Sequence, residues 1–313
     1  MTIVLTGSIA MDRIMSYAGR FADVIQPDKL HILSLSVLLC DLQETKGGVA
    51  ANIAYTLALL GEKPILYGSV GPNASGYMDE LAKLGIDVSL VHYSSLPTAS
   101  FSVITDIADC QVGGFYAGAM SDAKSLSIEE FKDQDVFVVI SPHDPDQMAA
   151  QVQECKKLQK RYCYDIGQQA TNVSAKDIKA GIEGCELLIV NDYEMGIIQQ
   201  KTGWTQDKIV GMIPSCVITL GEKGSVVWHE GKQRMIPAIK DVKVVDPTGA
   251  GDAFRAGFLY GYLRQAEPSV CAQIGGTSAS FAIEASGTQT HHFTRERFKE
   301  RYESTFGPSS VLQ

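Results

Sequence analysis

The chain has 313 residues, of which 45% are hydrophobic and 20% are charged, and its formal net charge is −9. This composition fits one or two compact domains with a sizeable core and argues against a disordered chain. The acidic balance offers no basic surface for nucleic acid and argues against binding to an anionic membrane.

Short β-branched segments alternate with amphipathic segments along most of the chain. The strand-like segments are almost continuously apolar, which is typical of a sheet covered by helices on both faces. The repeated order of strand and helix therefore predicts an α/β fold with a mostly parallel sheet. The predicted strands are 2–9, 64–70, 135–141, 161–166, 186–191 and 215–221, and the clearest predicted helices are 49–61 and 144–158.

Two segments interrupt this alternation. In residues 13–46, Leu33, Leu35 and Val37 alternate with serines, which predicts a strand with one wetter face. Residues 97–118 contain two strand-like stretches with no helical segment between them. We expect these segments to form antiparallel strands that stand off the main sheet as a lid.

Cysteine and histidine usage indicates a protein of a reducing compartment without a metal cluster. The seven cysteines include no CxxC pair, and most lie in apolar runs that are typical of buried thiols. The first residues do not resemble a signal peptide, and no apolar run approaches membrane-spanning length. We therefore expect a cytoplasmic protein. The six histidines lack ligand spacing, and we interpret His291 and His292 as a polar surface pair.

The segment DPTGAGD, residues 246–252, follows an apolar run and precedes an amphipathic one. It matches neither the Walker A motif nor the dinucleotide-binding fingerprint. Its small residues allow the amides of residues 249–251 to point to one place, and a helix expected to begin near Ala253 would add its positive end there. An anion-binding loop is one interpretation. The other, favoured for this motif alone, is that Asp252 only caps the helix.

Three other segments carry weaker signals of the same kind. Two glycines precede the helix predicted at 49–61, and Asn52 within it is a poor helix former, which suggests a role for its side chain. Asn191 and Glu194 would share a helical face and hold Mg²⁺ through water. Residues 219–224 would lie along phosphates. The alternatives are a glycine-rich turn, an N-cap and a hairpin turn, and the last two are favoured on their own.

Together these segments resemble the PfkB, or ribokinase-like, family of carbohydrate and nucleoside kinases. The stretches GGVAANIAYTLALLG, NDYE, TLGEKG and DPTGAGDAF have that family's order and approximate spacing, and GSIAMD is similar to its first strand. The resemblance runs from residue 2 to about residue 290. It implies one α/β kinase domain over residues 1–313, with a ribokinase-like, mostly parallel sheet between two layers of helices and a β-strand lid from about 13–46 and 97–118.

A closer resemblance is to the adenosine kinases of actinobacterial type. The stretches FYAGAMSDA and DPTGAGDAFRAGFL carry it, together with the paired glutamines 168 and 169. Ala117 stands where that group usually has proline, and DIGQQ replaces a DPSQQ-like segment. The resemblance implies ATP-dependent phosphorylation of the adenosine 5′-hydroxyl. The alternatives are a kinase for another nucleoside or a sugar, or a non-catalytic nucleoside sensor.

The resemblance also implies roles for the loop and its neighbours. Asp252 would accept the hydroxyl proton, and its place near a helix N-terminus predicts a lowered pKa. The amides of Gly249, Ala250 and Gly251 would form an anion hole. The remaining expectations are that ATP contacts Asn191, Thr219, Gly221, Gly224, Gly249 and Gly251, that Asn191 and Glu194 hold Mg²⁺ through water, and that Asp246 and Thr248 border a site for a monovalent cation such as K⁺.

Polar and aromatic side chains are expected to bind the nucleoside. Asp12 would accept hydrogen bonds from the ribose hydroxyls, and the rings of Phe101 and Phe115 would sandwich the purine. Packing within the lid is the alternative for both rings. The resemblance also implies a homodimer formed through the lid strands. The expected nucleoside contacts are Ser8, Asp12, Gly48, Asn52, Phe101, Phe115, Gln168 and Gln169.

Overall fold

The computed structural model describes residues 1–312, without the side chains of residues 123–125. The strands are β1 (Thr2–Thr6), β2 (Ala10–Tyr17), β3 (Leu39–Gly47), β4 (Ile65–Tyr67), β5 (Ser69–Val70), β6 (His92–Tyr93), β7 (Ser100–Thr105), β8 (Gln111–Tyr116), β9 (Val136–Ile140), β10 (Arg161–Tyr164), β11 (Leu187–Asn191), β12 (Ser215–Thr219), β13 (Ser225–His229) and β14 (Lys232–Ile236). The helices are α1 (Phe21–Val24), α2 (Val49–Leu59), α3 (Ser75–Lys83), α4 (Pro145–Lys157), α5 (Ala175–Ile182), α6 (Asp192–Thr202), α7 (Gln206–Val210), α8 (Ala250–Leu263), α9 (Pro268–Ala282) and α10 (Arg295–Phe306).

Within the described residues, eight strands form the central sheet in the order β14-β13-β12-β11-β10-β9-β1-β4. The strands from β12 to β4 are parallel to their neighbours, and β13 and β14 add an antiparallel edge. Strand β9 is buried along its whole length because helices cover both faces of the sheet. The predicted mostly parallel α/β architecture is confirmed, and each of the six predicted strands is present.

Each face of the central sheet carries its own hydrophobic core. Helices α2, α3, α8, α9 and α10 pack on one face, where Leu57 and Phe258 are fully buried. Helices α4 to α7 pack on the other face, where Ile178 and Ile198 are fully buried. Burying one such side chain contributes about 1.5–3 kcal/mol. The two cores hold α2, α6 and α8 against the sheet, and the N-termini of these three helices carry the motifs.

The parallel strands bring the predicted site residues to one edge of the sheet. Strands β1, β9, β10, β11 and β12 run in one direction, so their carboxyl ends lie side by side. Ser8 follows β1, Gln168 and Gln169 follow β10, Asn191 ends β11 and Thr219 ends β12. Ligands of open α/β sheets bind at this edge. The topology therefore gathers residues that are far apart in the chain.

A second sheet has the strand order β3-β2-β7-β8. Strand β2 pairs antiparallel with β3 and parallel with β7, and β7 forms an antiparallel hairpin with β8. The two segments that interrupt the strand and helix alternation therefore meet in one sheet, which we call the small sheet.

One strand prediction inside this region is wrong. Residues 33–38, where the alternation of Leu33, Leu35 and Val37 predicted a strand, have no regular secondary structure, and β3 begins only at Leu39. Leu33 is 53% exposed, and Leu35 and Val37 are only partly buried, so the alternating pattern does not mark a buried face here. Periodicity predicts a strand only where a partner strand and a core are available.

The interpretation of His291 and His292 as a surface pair is wrong for His291. This residue is 3% exposed, and its Nε2 lies 3.1 Å from the Thr56 hydroxyl on α2. Burial lowers the pKa of His291 to about 4, so the ring is neutral at physiological pH. His292 is exposed. The segment before α10 is thus packed against α2.

The remaining broad expectations concern thiols and membranes. All seven cysteines are free, five of them are buried, and Cys40 and Cys110 are exposed. In the described part of the chain, no helix combines the length and the apolar character needed to cross a bilayer.

Candidate active site

The DPTGAGD loop leads directly into α8. Gly249 is the N-cap residue and has a φ of 82°, a conformation that favours glycine. The helix begins at Ala250, earlier than the expected Ala253, so Asp252 lies inside the first turn. The Ala250 amide donates to Pro247 at 3.2 Å, whereas the amides of Gly251 and Asp252 precede the first helical hydrogen bond and lack an acceptor in the helix. These amides form the positive end that suits an anion.

Asp246 braces this loop. Its carboxylate accepts hydrogen bonds from the amides of Thr248 and Gly287, both at 2.9 Å. Burial pushes the pKa of Asp246 upward, but the hydrogen bonds from Thr248 and Gly287 outweigh it, and the pKa is lowered. Because the ionised carboxylate is held by two amides, it ties the loop to the segment that follows α9.

The two glycines before α2 allow its N-terminus to pack closely against the end of β1. Gly48 has a φ of 94°, and a Cβ atom there would lie 2.6 Å from the backbone of Ile9 and Ala10. Ser8 caps the helix, since its hydroxyl accepts the Val49 amide at 3.0 Å. This close packing directs the first turn of α2, and with it the side chain of Asn52, toward α8.

Asn52 and Asp252 meet at this point. The Asn52 Nδ2 donates to Asp252 Oδ2 over 2.8 Å. Asn52 is buried, and its side chain holds the carboxylate of Asp252. This contact is a role for a residue that is otherwise unfavourable inside a helix. The contact joins the glycine motif before α2 to the DPTGAGD motif, which are 200 residues apart.

The expected lowering of the Asp252 pKa is wrong. Burial raises the pKa of Asp252, and the nearby carboxylate of Glu194 adds to the increase. The Arg255 guanidinium and the hydrogen bond from Asn52 act in the opposite direction but do not compensate. Desolvation therefore outweighs the two stabilising contacts, and Asp252 is a stronger base than an exposed aspartate.

A buried guanidinium lies among three carboxylates beneath the loop. Arg255 Nη2 is 2.7 Å from Asp165 Oδ1 and 3.7 Å from Glu194 Oε2, and its charge also acts on Asp252. Asp165 is fully buried where the chain leaves β10. Burial raises the pKa of Asp165 to about 7, against the attraction of Arg255. One positive charge thus faces three acidic groups from three elements.

Asn191 and Glu194 form a capping box at the start of α6. Asn191 Oδ1 accepts the Glu194 amide at 2.7 Å, and Glu194 Oε2 accepts the Asn191 amide at 2.9 Å. The N-cap interpretation of this motif is therefore correct. It leaves the Glu194 carboxylate facing Arg255 at the carboxyl edge of the sheet, so capping does not exclude a second role.

The surroundings of Glu194 fit a magnesium ion held mainly by a bound ligand. No group of three or more acidic, histidine or cysteine side chains among the described residues forms a metal cage. Mg²⁺ commonly keeps several waters and takes one or two carboxylates together with substrate phosphates. The excess of acidic groups around Arg255 favours a cation here. Asn191 and Glu194 are the residues that would hold it through water.

The TLGEKG segment is the turn between β12 and β13. Residues Gly221–Lys223 form one 3₁₀ turn, and the Leu220 amide donates to the Gly224 carbonyl at 2.8 Å. A Cβ atom at Gly224 would lie 2.0 Å from the Ile236 carbonyl oxygen. The glycine is thus required for packing, and the hairpin alternative for this segment is correct. Thr219 and Gly221 lie at the edge beside Asn191, because Thr219 pairs with Asn191 in the sheet.

Asp12, Phe101 and Phe115 lie in one row across the small sheet. Asp12 on β2 accepts the Phe101 amide at 3.1 Å, and Phe101 pairs directly with Phe115. Directly paired residues project from the same face of a sheet, so these two side chains share one face of the small sheet. The sandwich of a purine between the two rings stays a prediction. Both rings are exposed, and Asp12 lies on the strand next to Phe101.

The paired glutamines lie in a short helical turn after β10, residues Gly167–Thr171. Gln168 is exposed, and Gln169 accepts a hydrogen bond from Asn172 at 2.9 Å. Both follow Asp165 at the carboxyl edge of the sheet.

Comparison with known proteins identifies the family. Residues 11–294 match the pfkB family of carbohydrate kinases. The chain belongs to the PfkB family. It is 33% identical to the nucleoside kinase of Methanocaldococcus jannaschii over 276 residues, which cover 86% of this chain and 89% of that protein.

Solved structures of nucleoside kinases show the same fold. The nucleoside kinase of Burkholderia thailandensis in complex with inosine is 31% identical, covers 98% of this chain and 99% of its own, and superimposes with a TM-score of 0.87. The M. jannaschii nucleoside kinase superimposes with a TM-score of 0.86 at 30% identity, covering 97% of this chain and 99% of its own. The ribokinase-like fold predicted for the chain is confirmed.

Three residues of this site are not among those predicted from the sequence. Arg255 interrupts the apolar run of α8 and Asp165 ends an apolar strand, and a charge within a buried segment signals a buried partner. The sequence therefore contains a sign of a buried ion pair at these two positions. Gln289 contacts Asn52 and Tyr77, but its polar surroundings in the sequence contain no comparable signal.

The buried ion pair gives a pH-dependent prediction. In Arg255→Leu, the Asp165 carboxylate loses its counter-charge, and we expect the free energy of unfolding to fall by about 3–5 kcal/mol at neutral or higher pH. Removing the cation raises the pKa of Asp165 further, so protonation relieves the loss, and the difference from the wild type should be smaller at about pH 5 than at about pH 8. Urea unfolding at both pH values measures it.

The matched control for this variant is Arg13→Leu, which breaks the exposed pair of Arg13 with Glu44. We expect it to change the free energy of unfolding by at most about 1 kcal/mol. A loss in Arg255→Leu that is equally small, or independent of pH, would contradict the assignment of a buried charge pair.

Proposed function

We propose that this PfkB-family chain is an ATP-dependent adenosine kinase that transfers the γ-phosphoryl group of ATP to the adenosine 5′-hydroxyl. The observation that carries the proposal is the Asp252 carboxylate in the first turn of α8, which is bonded to Asn52 and lies beside helix amides that lack an acceptor in the helix. Relatives named nucleoside kinases support a nucleoside acceptor, and the inosine complex of the B. thailandensis enzyme supports a purine. Its complex with ADP-inosine supports a nucleotide donor.

In this proposal Asp252 accepts the proton of the acceptor hydroxyl. Asn52 bonds to Oδ2, so Oδ1 remains for the hydroxyl. The raised pKa makes Asp252 a better base at equilibrium, and the hydroxyl becomes acidic as its bond to phosphorus forms. Arg255 limits this rise, because its positive charge favours the ionised carboxylate.

The loop amides would stabilise the transferred phosphoryl group. Phosphoryl transfer depends mainly on alignment and on neutralising charge. The amides of Gly249 and Gly251 would act as the anion hole, with a smaller share for Ala250, whose amide already donates to Pro247. Bound Mg²⁺, held through water by Asn191 and Glu194, would neutralise phosphate charge. ATP would lie along the sheet edge near Thr219, Gly221 and Gly224, and K⁺ would lie beside Asp246 and Thr248.

The nucleoside would bind between the sheet edge and the small sheet, which would act as a lid. Asp12 would accept hydrogen bonds from the ribose, and burial raises its pKa against the hydrogen bond from Phe101. An unpaired buried acceptor is costly, so this residue would discriminate against deoxy analogues. The base would stack on the surface formed by Phe101 and Phe115. The remaining contacts would come from Ser8, Gly48, Asn52, Gln168 and Gln169.

We also propose a homodimer formed through the small sheet. Alternation along its strands puts Leu42, Val112 and Tyr116 on the face opposite to Asp12 and Phe115. These three side chains are 57%, 54% and 49% exposed, and together they form an apolar surface suited to a second copy.

Light scattering coupled to size exclusion tests the dimer. We expect the wild type to have twice the monomer mass and Leu42→Asp to shift it toward the monomer, because a buried unpaired charge is costly at an interface. Leu84→Asp, at an exposed leucine after α3, is the control and should keep the wild-type mass. A monomeric wild type would contradict the proposal.

A panel of acceptors tests the proposed substrate. With Mg·ATP, we expect adenosine to have a higher kcat/KM than inosine, guanosine, cytidine or ribose, because both the ribose acceptor and the aromatic surface would be used. Chelating Mg²⁺ should abolish turnover, and replacing K⁺ with choline should lower it. Faster turnover of ribose than of any nucleoside would exclude the nucleoside assignment, and binding without turnover would favour a sensor.

The role of Asp252 is tested by Asp252→Asn. We expect kcat to fall by about 10²–10⁴-fold, the range of general-base contributions, while adenosine binding measured by calorimetry persists. The matched control is Asp177→Asn, which changes an aspartate at the same position in the first turn of α5. A variant at position 252 that retained more than about a tenth of kcat would show that another group accepts the proton.

A further inference from the structure

Gln289, in the segment between α9 and α10, lies directly behind the proposed base. Its Nε2 donates to Asn52 Oδ1 over 2.8 Å and also to the Tyr77 hydroxyl. Asn52 in turn donates from Nδ2 to Asp252. Gln289 therefore reaches the proposed base only through Asn52, and it makes no hydrogen bond of its own to Asp252 among the described residues.

The direction of each hydrogen bond in this chain follows from what the groups can donate. The Tyr77 hydroxyl donates its single hydrogen to the Gly47 carbonyl at 3.1 Å, so it can only accept from Gln289. Both hydrogens of Gln289 Nε2 are then used, and Asn52 must present oxygen to Gln289 and nitrogen to Asp252. If the Asn52 amide were flipped, its oxygen would face the Asp252 carboxylate and its nitrogen would face Gln289 Nε2, and both contacts would be unfavourable.

The segment that carries Gln289 is tied to the rest of the site on both sides. The Thr288 hydroxyl donates to the Lys46 carbonyl of β3 at 2.8 Å. The Gly287 amide donates to Asp246 at 2.9 Å. Tyr77, on α3, is buried. Gln289 thus stands on a backbone that contacts the small sheet on one side and the DPTGAGD loop on the other.

We propose that Gln289 is a positioning residue for phosphoryl transfer, which holds the Asn52 amide with Nδ2 toward Asp252. This inference rests on the proposed function, because it takes Asp252 as the proton acceptor. Asn52 occupies Oδ2, and this contact keeps Oδ1 turned toward the acceptor hydroxyl. Without Gln289 the amide of Asn52 can flip, and Asp252 loses the donor that orients it.

The first test is Gln289→Met, which keeps the length of the side chain and removes both donors. With the best acceptor of the wild-type enzyme, we expect kcat to fall about tenfold or more, since small misalignments of reacting groups are costly, while KM for ATP changes by less than about twofold. The matched control is Gln273→Met. Gln273 on α9 accepts a hydrogen bond from Tyr302 on α10, and its loss should leave kcat unchanged. Melting temperatures of both variants are measured alongside.

A second variant, Gln289→Glu, keeps a polar side chain of the same size. Its carboxylate would accept from Asn52 Nδ2 and turn the Asn52 oxygen toward Asp252. We expect kcat to fall at least as far as in Gln289→Met, although a polar group is retained. Restoration of wild-type kcat by this isosteric change would overturn the positioning role.

A double-mutant cycle with Asn52→Leu separates positioning from general stability. If Gln289 acts through Asn52, adding Gln289→Met to Asn52→Leu lowers kcat no further. Additive losses, or a single Gln289 variant with wild-type kcat, would overturn the inference. An active wild type with insensitive Gln289 variants rejects only this role, whereas a wild type inactive on every acceptor in the panel rejects the proposed function as well.

Discussion

The charge balance around Arg255 is the constraint on which the rest of the site depends. One buried guanidinium from α8 faces Asp165 from the end of β10, Glu194 from the start of α6 and Asp252 from its own helix. Burying these groups is costly unless they are paired, and the pairing links three elements to each other. The remaining negative charge at this place makes it suited to a cation and to the ligand that a cation would accompany.

The same backbone geometry serves stability and chemistry at the helix ends of this protein. Asn191 and Glu194 cap α6 through a capping box, and Gly249 caps α8 in a left-handed conformation. At α8 the cap is a glycine without a side chain, so the first amides of the helix remain available to a ligand. The interpretation that Asp252 only caps the helix is wrong, because Gly249 is the N-cap residue and the Asp252 carboxylate accepts a hydrogen bond from Asn52.

Sequence patterns predicted the architecture well and failed where a side chain's surroundings decided the outcome. Apolar runs located the strands of the central sheet, because strands buried on both faces leave a strong local pattern. The alternation of Leu33, Leu35 and Val37 predicts a strand that is not present, since these residues pair with no other strand. The polar HH pair predicts a surface position for His291, which is wrong because its burial depends on α2, an element remote in the chain.

Local patterns of residue type and spacing are sufficient to predict the family, the alternation of strands and helices, and the motifs that meet at one sheet edge. Tertiary structure decided the electrostatics and the alignment. The raised pKa of Asp252, the common sheet face of Phe101 and Phe115, and the contact of Gln289 with Asn52 all depend on groups brought together by packing and strand pairing. Desolvation and strand register depend on the packing of the whole molecule, so a local stretch of sequence does not predict them.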